Sequence, residues 1–348
     1  MSVPKSNPAS ELRPIVAITM GDPVGVGPEI VCRALSDPSL YQQCRPLVLG
    51  DTAVLKSAAT LVGQSFDFEE TLNPGQGVYR HGVMDIAPIS RLDAAALLPG
   101  APTKKTGRAM VEYIFRAIDW AMAGEVHAVT TGPIHKGAMN AAGFDYQGHT
   151  EIFASRTGTE KFVMMLAGER LKVTLVTIHM AVSQVPAAIT REKVLSTIKI
   201  THDALKTRFG IDRPRIFVAG LNPHAGEDGL FGDEETRIIA PAVKDAKDSG
   251  IHVTGPHPAD TLFFHAVKGG CDAVVCMYHD QGLIPFKLLH FQDGVNTTLG
   301  LPVIRTSVDH GTAYDIAWTG KADPLSLVAA IRMAAQQAAH KLAKPSGA

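Results

Sequence analysis

Apolar residues along this chain follow two rhythms. Ile15 to Met20, Pro46 to Gly50, Val126 to Thr131, Leu171 to Ile178, Arg215 to Gly220 and Ala273 to Met277 are runs of strand length, several rich in β-branched side chains. Being continuous rather than alternating, they predict strands buried on both faces. Elsewhere the period is that of a helix. From Gly107 to Met122, residues Val111, Ile114, Phe115, Ile118 and Met122 make one stripe, and Gly124 ends it. Further helices are predicted from near Thr190 to before Gly210, over Glu234 to Lys247, and over Leu325 to Leu342. Strands alternating with helices predict a mainly parallel α/β architecture with helices on both sheet faces. Both ends, Met1 to Arg13 and Lys344 to Ala348, are polar and aperiodic and are expected to fray.

Length adds a domain count. At roughly 100 to 200 residues per domain, 348 residues predict two domains with a cleft between them as the expected site. Charge removes partners: 33 basic against 34 acidic residues leave a net charge of -1, which does not suit a nucleic-acid-binding protein. No apolar N-terminal stretch resembles a signal peptide, and no uncharged run approaches the ~18 residues of a membrane span, so a cytoplasmic protein without a membrane partner is expected. Cys32, Cys44, Cys271 and Cys276 lack zinc-ribbon spacing and read as reduced thiols.

Histidine, at 14 residues, is the unusual count. LKVTLVTIH, RIFVAGLNPH and DAVVCMYH each run an apolar strand outward and then deliver His179, His224 or His279. Parallel strands put these on one sheet edge, where ligands bind in open α/β sheets. They are either three separate loop histidines or the ligands of one divalent metal. TMGDPVGVGPEI follows a strand and opens a helix, but Ile30 occupies the third glycine position of a dinucleotide fingerprint, so a tight turn competes with ligand contact. In GHTE, His149 and Thr150 precede a helix whose start suits an anion, unless Thr150 simply caps it. Lys287, Asn296 and Arg305 fall in an apolar, glycine-rich stretch and either clamp phosphate and carboxylate groups or lie on an ordinary surface. Asp260 in GPHPADTLF is ambiguous by itself.

DHGTAYDIAWTGKADP resembles the loop by which isopropylmalate and isocitrate dehydrogenases hold the adenosine part of a nicotinamide cofactor without a Rossmann motif. Together, GDPVGVGPE, TTGPIHK, GHTE, GLNPHAGE, PADTLF, YHDQGLIPFK and GVNTTLGLPVIRTSVDHGTA resemble the 4-hydroxythreonine-4-phosphate dehydrogenase family of vitamin B6 biosynthesis, from about Ile15 to Ala339. The resemblance implies two α/β/α domains like those of isocitrate and isopropylmalate dehydrogenases, with the active site in the interdomain cleft. Residues 1–116 with 259–348 would form the cofactor-side domain and 117–258 the central one. It implies His179, His224 and His279 as ligands of one zinc, magnesium or cobalt ion. His149, Thr150, Lys287, Asn296 and Arg305 would bind substrate, and Asp309, His310, Gly311, Thr312 and Ala313 would bind NAD or NADP. It also implies a homodimer whose active sites combine residues of both subunits.

The implied reaction oxidises 4-phosphooxy-L-threonine to a β-keto acid that loses carbon dioxide, giving 3-amino-2-oxopropyl phosphate. Lys136, Asp260 or a hydroxide on the metal can serve as base. Sugar-acid relatives acting on D-threonate or D-erythronate 4-phosphate are the alternative. From other classes, an acyltransferase like phosphate acetyltransferase or a three-histidine metal hydrolase also competes. Trp318 stands where the family leads one to expect glycine, and Met180 to Val182 replace an expected Leu-Pro-Leu. His135 matches the vitamin B6 branch, the sugar-acid branch having asparagine there.

Overall fold

A computed structural model describes residues 13–343 of the chain; the two ends expected to fray lie outside the described residues. In chain order the strands are β1 (Ile15–Thr19), β2 (Arg45–Gly50), β3 (Asp67–Glu70), β4 (Val83–Pro88), β5 (Ala128–Thr131), β6 (Val163–Ala167), β7 (Lys172–Leu175), β8 (Ile216–Ala219), β9 (Val253–His257), β10 (Ala273–Cys276), β11 (Val295–Leu299) and β12 (Arg305–Ser307). The α-helices of six or more residues are α1 (Gly27–Leu35), α2 (Pro38–Gln43), α3 (Thr52–Leu61), α4 (Lys104–Met122), α5 (Lys136–Ala141), α6 (His149–Thr157), α7 (Arg191–Thr207), α8 (Ala240–Asp248), α9 (Ala259–His265), α10 (His279–Leu289) and α11 (Leu325–Ala343).

The chain divides into two compact units, one holding the described residues up to Gly158 and from Leu301 onward, the other Thr159–Gly300. The boundaries expected at 116/117 and 258/259 differ from these divisions. A break after residue 116 would cut α4 in the middle of one continuous apolar face, which packs on α5 and on β1, β2 and β5. At the other boundary, β10 pairs with β7 and β8, and β11 with β6, so the chain after residue 258 supplies strands to the second unit.

In the first unit the strand order is β3-β4-β2-β1-β5-β12, with every pair parallel. β1, IVAIT, is buried along its whole length, as a continuous apolar run requires. Helix α4 starts on a reciprocal cap: Thr106 N–H donates to Thr103 Oγ1 at 3.2 Å, and Thr103 N–H to Thr106 Oγ1 at 2.9 Å. Met110, Val111, Ile114 and Ile118 of this helix are wholly buried in the core. From β1 the chain winds outward to β2 in one direction and later returns to β5 on the other side. The carboxyl ends of β1 and β5 therefore flank a topological switch point, the crevice where open α/β sheets bind ligands.

The second unit has strand order β11-β6-β7-β10-β8-β9. β7, β10, β8 and β9 run parallel, whereas β6 is antiparallel to β7 and β11. Its own core includes Leu166, Val173, Leu175, Val274, Cys276 and Phe286. Helix α7 begins as predicted, with Thr190 Oγ1 accepting from Lys193 N–H at 3.2 Å. The helix expected over 234–247 departs from plan. Glu235–Ile239 is a π-helical turn and regular α8 starts only at Ala240, because Pro241 has no N–H to continue the ladder. No helix among the described residues is long and apolar enough to cross a membrane.

Candidate active site

Three segments leave the carboxyl ends of β1, β5 and β12 in the first unit, and they carry the motifs singled out from sequence. The first, after β1, resolves as a turn rather than a ligand cradle. A Cβ on Gly27 would lie 2.1 Å from the Met20 carbonyl oxygen, and one on Gly25 would lie 3.1 Å from Thr312. Both glycines thus let the protein approach itself. Val26 N–H donates to the Thr312 carbonyl at 3.0 Å, so this turn is the seat of the 309–320 loop.

Around the end of β5 the structure brings together Arg305, His149 and Lys136. Arg305 opens β12 and is 2 % exposed; it donates to Thr131 Oγ1 at 3.0 Å, and its guanidinium lies 5.9 Å from the centre of the Phe153 ring. Burial lowers its pKa to about 10, with Glu151 acting in the opposite direction, so it remains a cation at neutral pH. His149 is the first residue of α6 and hydrogen-bonds the Gly132 backbone. Burial, followed by the positive Arg305, holds its imidazole well below the ordinary histidine range. Its Nε2 is buried without a hydrogen-bond partner in the protein. A buried polar atom in that state needs a partner from outside the chain.

Thr150 does not cap α6. The capping position is Gly148 and no side chain bonds there, so Thr150 sits in the first turn at the helix's positive end. Lys136 opens α5; its Cε and the Glu151 carboxylate flank Gly148, at 4.0 and 3.5 Å from where a Cβ would stand. In the 309–313 loop, Asp309 N–H donates to Ser326 Oγ at 3.2 Å, and Ala313 takes a φ of 42°. Sequence reading passed over Asp22 and Tyr314, whose hydroxyl donates to Asp22 Oδ2 at 2.5 Å. Burial raises the Asp22 carboxyl above its ordinary range, although the Tyr314 bond pulls the other way. Asp22 lies in GDPVGVGPE, where the glycines drew attention away from the acids.

In the second unit β10 lies between β7 and β8, so the three histidines do follow three adjacent parallel strands. They are not equally placed. His179 and His279 face each other with ring centroids 5.6 Å apart across a cavity of 210 Å³ that Met180, Val182 and Tyr278 also line. Two imidazoles each ~2.1 Å from a shared ion have centroids about 5 Å apart, so the pair fits a borderline cation. His279 Nδ1 lies 2.7 Å from Asp280 Oδ1; with Nδ1–H donating there, Nε2 keeps a lone pair for a cation. His224 does not join them. Its ring lies 6.0 Å from Phe231, on a run of positive φ from His224 to Asp228. No group of three or more histidine, cysteine or acidic side chains stands close enough to hold a metal among the described residues.

The His224 run is held by Glu235, another residue not singled out from sequence. It is 2 % exposed and accepts from the N–H groups of Leu221 and Asn222, both at 2.7 Å. The remaining candidates spread over this unit. Lys287 lies in the last turn of α10 with Nζ 5.8 Å above the Phe291 ring. Asn296 is on β11, its Oδ1 buried without a hydrogen-bond partner in the protein. Asp260 is exposed on the first turn of α9.

Comparisons with known proteins agree on one family. The family model described as pyridoxal phosphate biosynthetic protein PdxA matches residues 42–334. A 4-hydroxythreonine-4-phosphate dehydrogenase of Desulforapulum autotrophicum is 60 % identical over 94 % of this chain and 96 % of its own length. A D-threonate 4-phosphate dehydrogenase of Pectobacterium atrosepticum is 45 % identical, over 93 % of this chain and 99 % of that protein. Among solved structures, 4-hydroxythreonine-4-phosphate dehydrogenase from Klebsiella pneumoniae superposes with a TM-score of 0.87 at 42 % identity, covering 94 % of this chain and 98 % of the other. A nicotinamide cofactor and a metal ion come with that family in general. The chain belongs to the PdxA family of pyridoxal phosphate biosynthetic proteins.

Proposed function

We propose that this protein oxidises 4-phosphooxy-L-threonine with NAD+ or NADP+, and that the β-keto acid formed loses carbon dioxide to leave 3-amino-2-oxopropyl phosphate. Kinship to the 60 % identical dehydrogenase carries the substrate class. The buried Arg305 is the physical support, because a desolvated cation suits a phosphate oxyanion, while the unpartnered Nε2 of the neutral His149 beside it suits a donor group of the substrate. Lys287, Asn296 and Thr150 are assigned to the same substrate, and Asp309 to Ala313 to the dinucleotide.

The secondary alcohol loses its O–H proton to a base and its C–H hydride to the nicotinamide ring. Lys136 is the base we assign, because its side chain flanks Gly148 beside His149; it is exposed, as is Asp260. His179, His224 and His279 would hold a divalent cation, which would supply Lewis-acid polarisation of the substrate oxygen. His279, oriented by Asp280, and His179 form the part of that site already paired in one chain.

We assign a homodimer with shared active sites. One chain does not assemble all three histidines, and α10, the helix that carries His279 and Lys287, exposes Ile284 and Leu288 at 61 % and 81 %, with Phe291 just beyond at 78 %. Their spacing makes one apolar stripe, which a second copy would cover. The four free thiols accord with a cytoplasmic setting.

D-Threonate 4-phosphate is the second reading, favoured by the Pectobacterium relative. Reduction of NAD+ assayed side by side with both phosphorylated acids, in zinc, magnesium or cobalt, separates them. Turnover of 4-phosphooxy-L-threonine with release of carbon dioxide is expected; turnover of D-threonate 4-phosphate alone overturns the assignment.

A further inference from the structure

The loop assigned to the dinucleotide continues into a stretch whose backbone is unusual. Trp318 has a φ of 61°, a left-handed conformation that costs a residue with a Cβ and that glycine adopts freely. Here tryptophan occupies the position where glycine is expected. Glu29 holds it there. This wholly buried carboxylate in the first turn of α1 accepts from the N–H of Trp318 and, at 2.8 Å, from the N–H of Gly320.

The surrounding contacts converge on the same stretch. Arg33, one turn further along α1, donates to the Gly320 carbonyl, and Trp318 Nε1–H donates to the Pro23 carbonyl at 3.1 Å. At its other end the loop is seated by Val26 on Thr312 and by Asp22 on Tyr314. A buried carboxylate is costly unless its oxygens are satisfied, and the hydrogen bonds of Glu29 go to the 318–320 backbone rather than to α1. Its charge therefore shapes the loop.

We propose that Glu29 is a positioning residue for the dinucleotide, fixing the 312–320 loop through Trp318 and Gly320. The inference rests on the assignment of Asp309 to Ala313 to that ligand. Glu29 touches no cofactor itself; it determines where the loop's backbone stands.

The test uses the full-length protein as Glu29→Ala and Glu29→Gln, with NAD+ binding followed by calorimetry and KM and kcat measured separately for each substrate. Losing two charge-assisted hydrogen bonds should weaken NAD+ binding roughly 10- to 100-fold, with a smaller loss for the amide. The KM for 4-phosphooxy-L-threonine and the zinc content should not change. Adding Trp318→Gly to Glu29→Ala should restore part of the NAD+ affinity, because glycine needs no carboxylate to stay left-handed. Should Glu29→Ala fail to fold, Glu29→Gln and the double variant decide the matter. A lower Tm with NAD+ affinity unchanged, or an equal KM rise for both substrates, overturns the proposal. His310→Ala separates the two layers. If it leaves NAD+ binding intact, the loop assignment has failed; if it weakens binding while the Glu29 variants do not, only the positioning role has.

Discussion

The two units carry their shares of the chemistry in opposite states of readiness. In the first, Arg305 is almost wholly buried, fixed by Thr131 and set beside a neutral His149. In the second, His179 and His224 are exposed, and only His179 and His279 meet. The difference teaches which parts of the site a single chain can organise. Arg305, proposed above to meet a phosphate, is held by the parallel sheet around it. The histidines proposed as metal donors follow the strand ends, with His279 opening α10, and His224 stays apart from the other two.

The largest expected effect sharpens that contrast. His179→Ala, His224→Ala and His279→Ala should each abolish stoichiometric metal and lower activity by more than the ~10- to 100-fold that loss of an outer partner costs. Metal analysis and the NAD+ reduction assay read both. Mixing inactive variants that lack different histidines should restore activity in at least one pairing if copies share the site; silence in every mixture would show that each chain builds its site alone.

Next in size is the anion side. Arg305→Ala or Lys287→Ala removes charge-assisted hydrogen bonds and should weaken the phosphorylated substrate about 10- to 100-fold at unchanged metal content. A dephosphorylated analogue should bind the wild type poorly and be nearly indifferent to Lys287→Ala. Equal weakening of both ligands by that variant would remove the phosphate role.

The smallest effect is a pH slope. Folded His149 has its pKa held below the ordinary 6.5 by burial and Arg305. Below ~6.5 the unfolded chain takes up a proton that the folded one refuses, so this stability is present above that pH and falls away as the medium is acidified. Denaturant midpoints between about pH 7.5 and 5 should therefore decline less steeply in His149→Asn than in the wild type. Identical slopes would show that His149 is protonated in the fold as readily as in the unfolded chain.

Legibility in the sequence followed the physics of each element. Strands such as β1 and β10 were readable because burial on both faces demands an unbroken apolar run. β3, DFEE, was not, since it is a largely exposed edge strand without that pattern. β6 was passed over although VMMLA is an unbroken apolar run, and the antiparallel direction of β6 and β11 is a long-range property that no local window contains. Site residues divided similarly. His149, Arg305 and the three histidines stood out by type and place, whereas Glu29 and Glu235 act by accepting hydrogen bonds from backbone distant in sequence.

By itself, then, the sequence determined the element types, the parallel α/β class and the family, because local periodicity and motif chemistry are written in consecutive residues. Tertiary structure alone decided where the units divide, that Gly25 and Gly27 receive the protein's own backbone, and that His224 stands apart from the other two histidines. Each of these depends on contacts between residues far apart in the chain, which exist only after the sheets have formed.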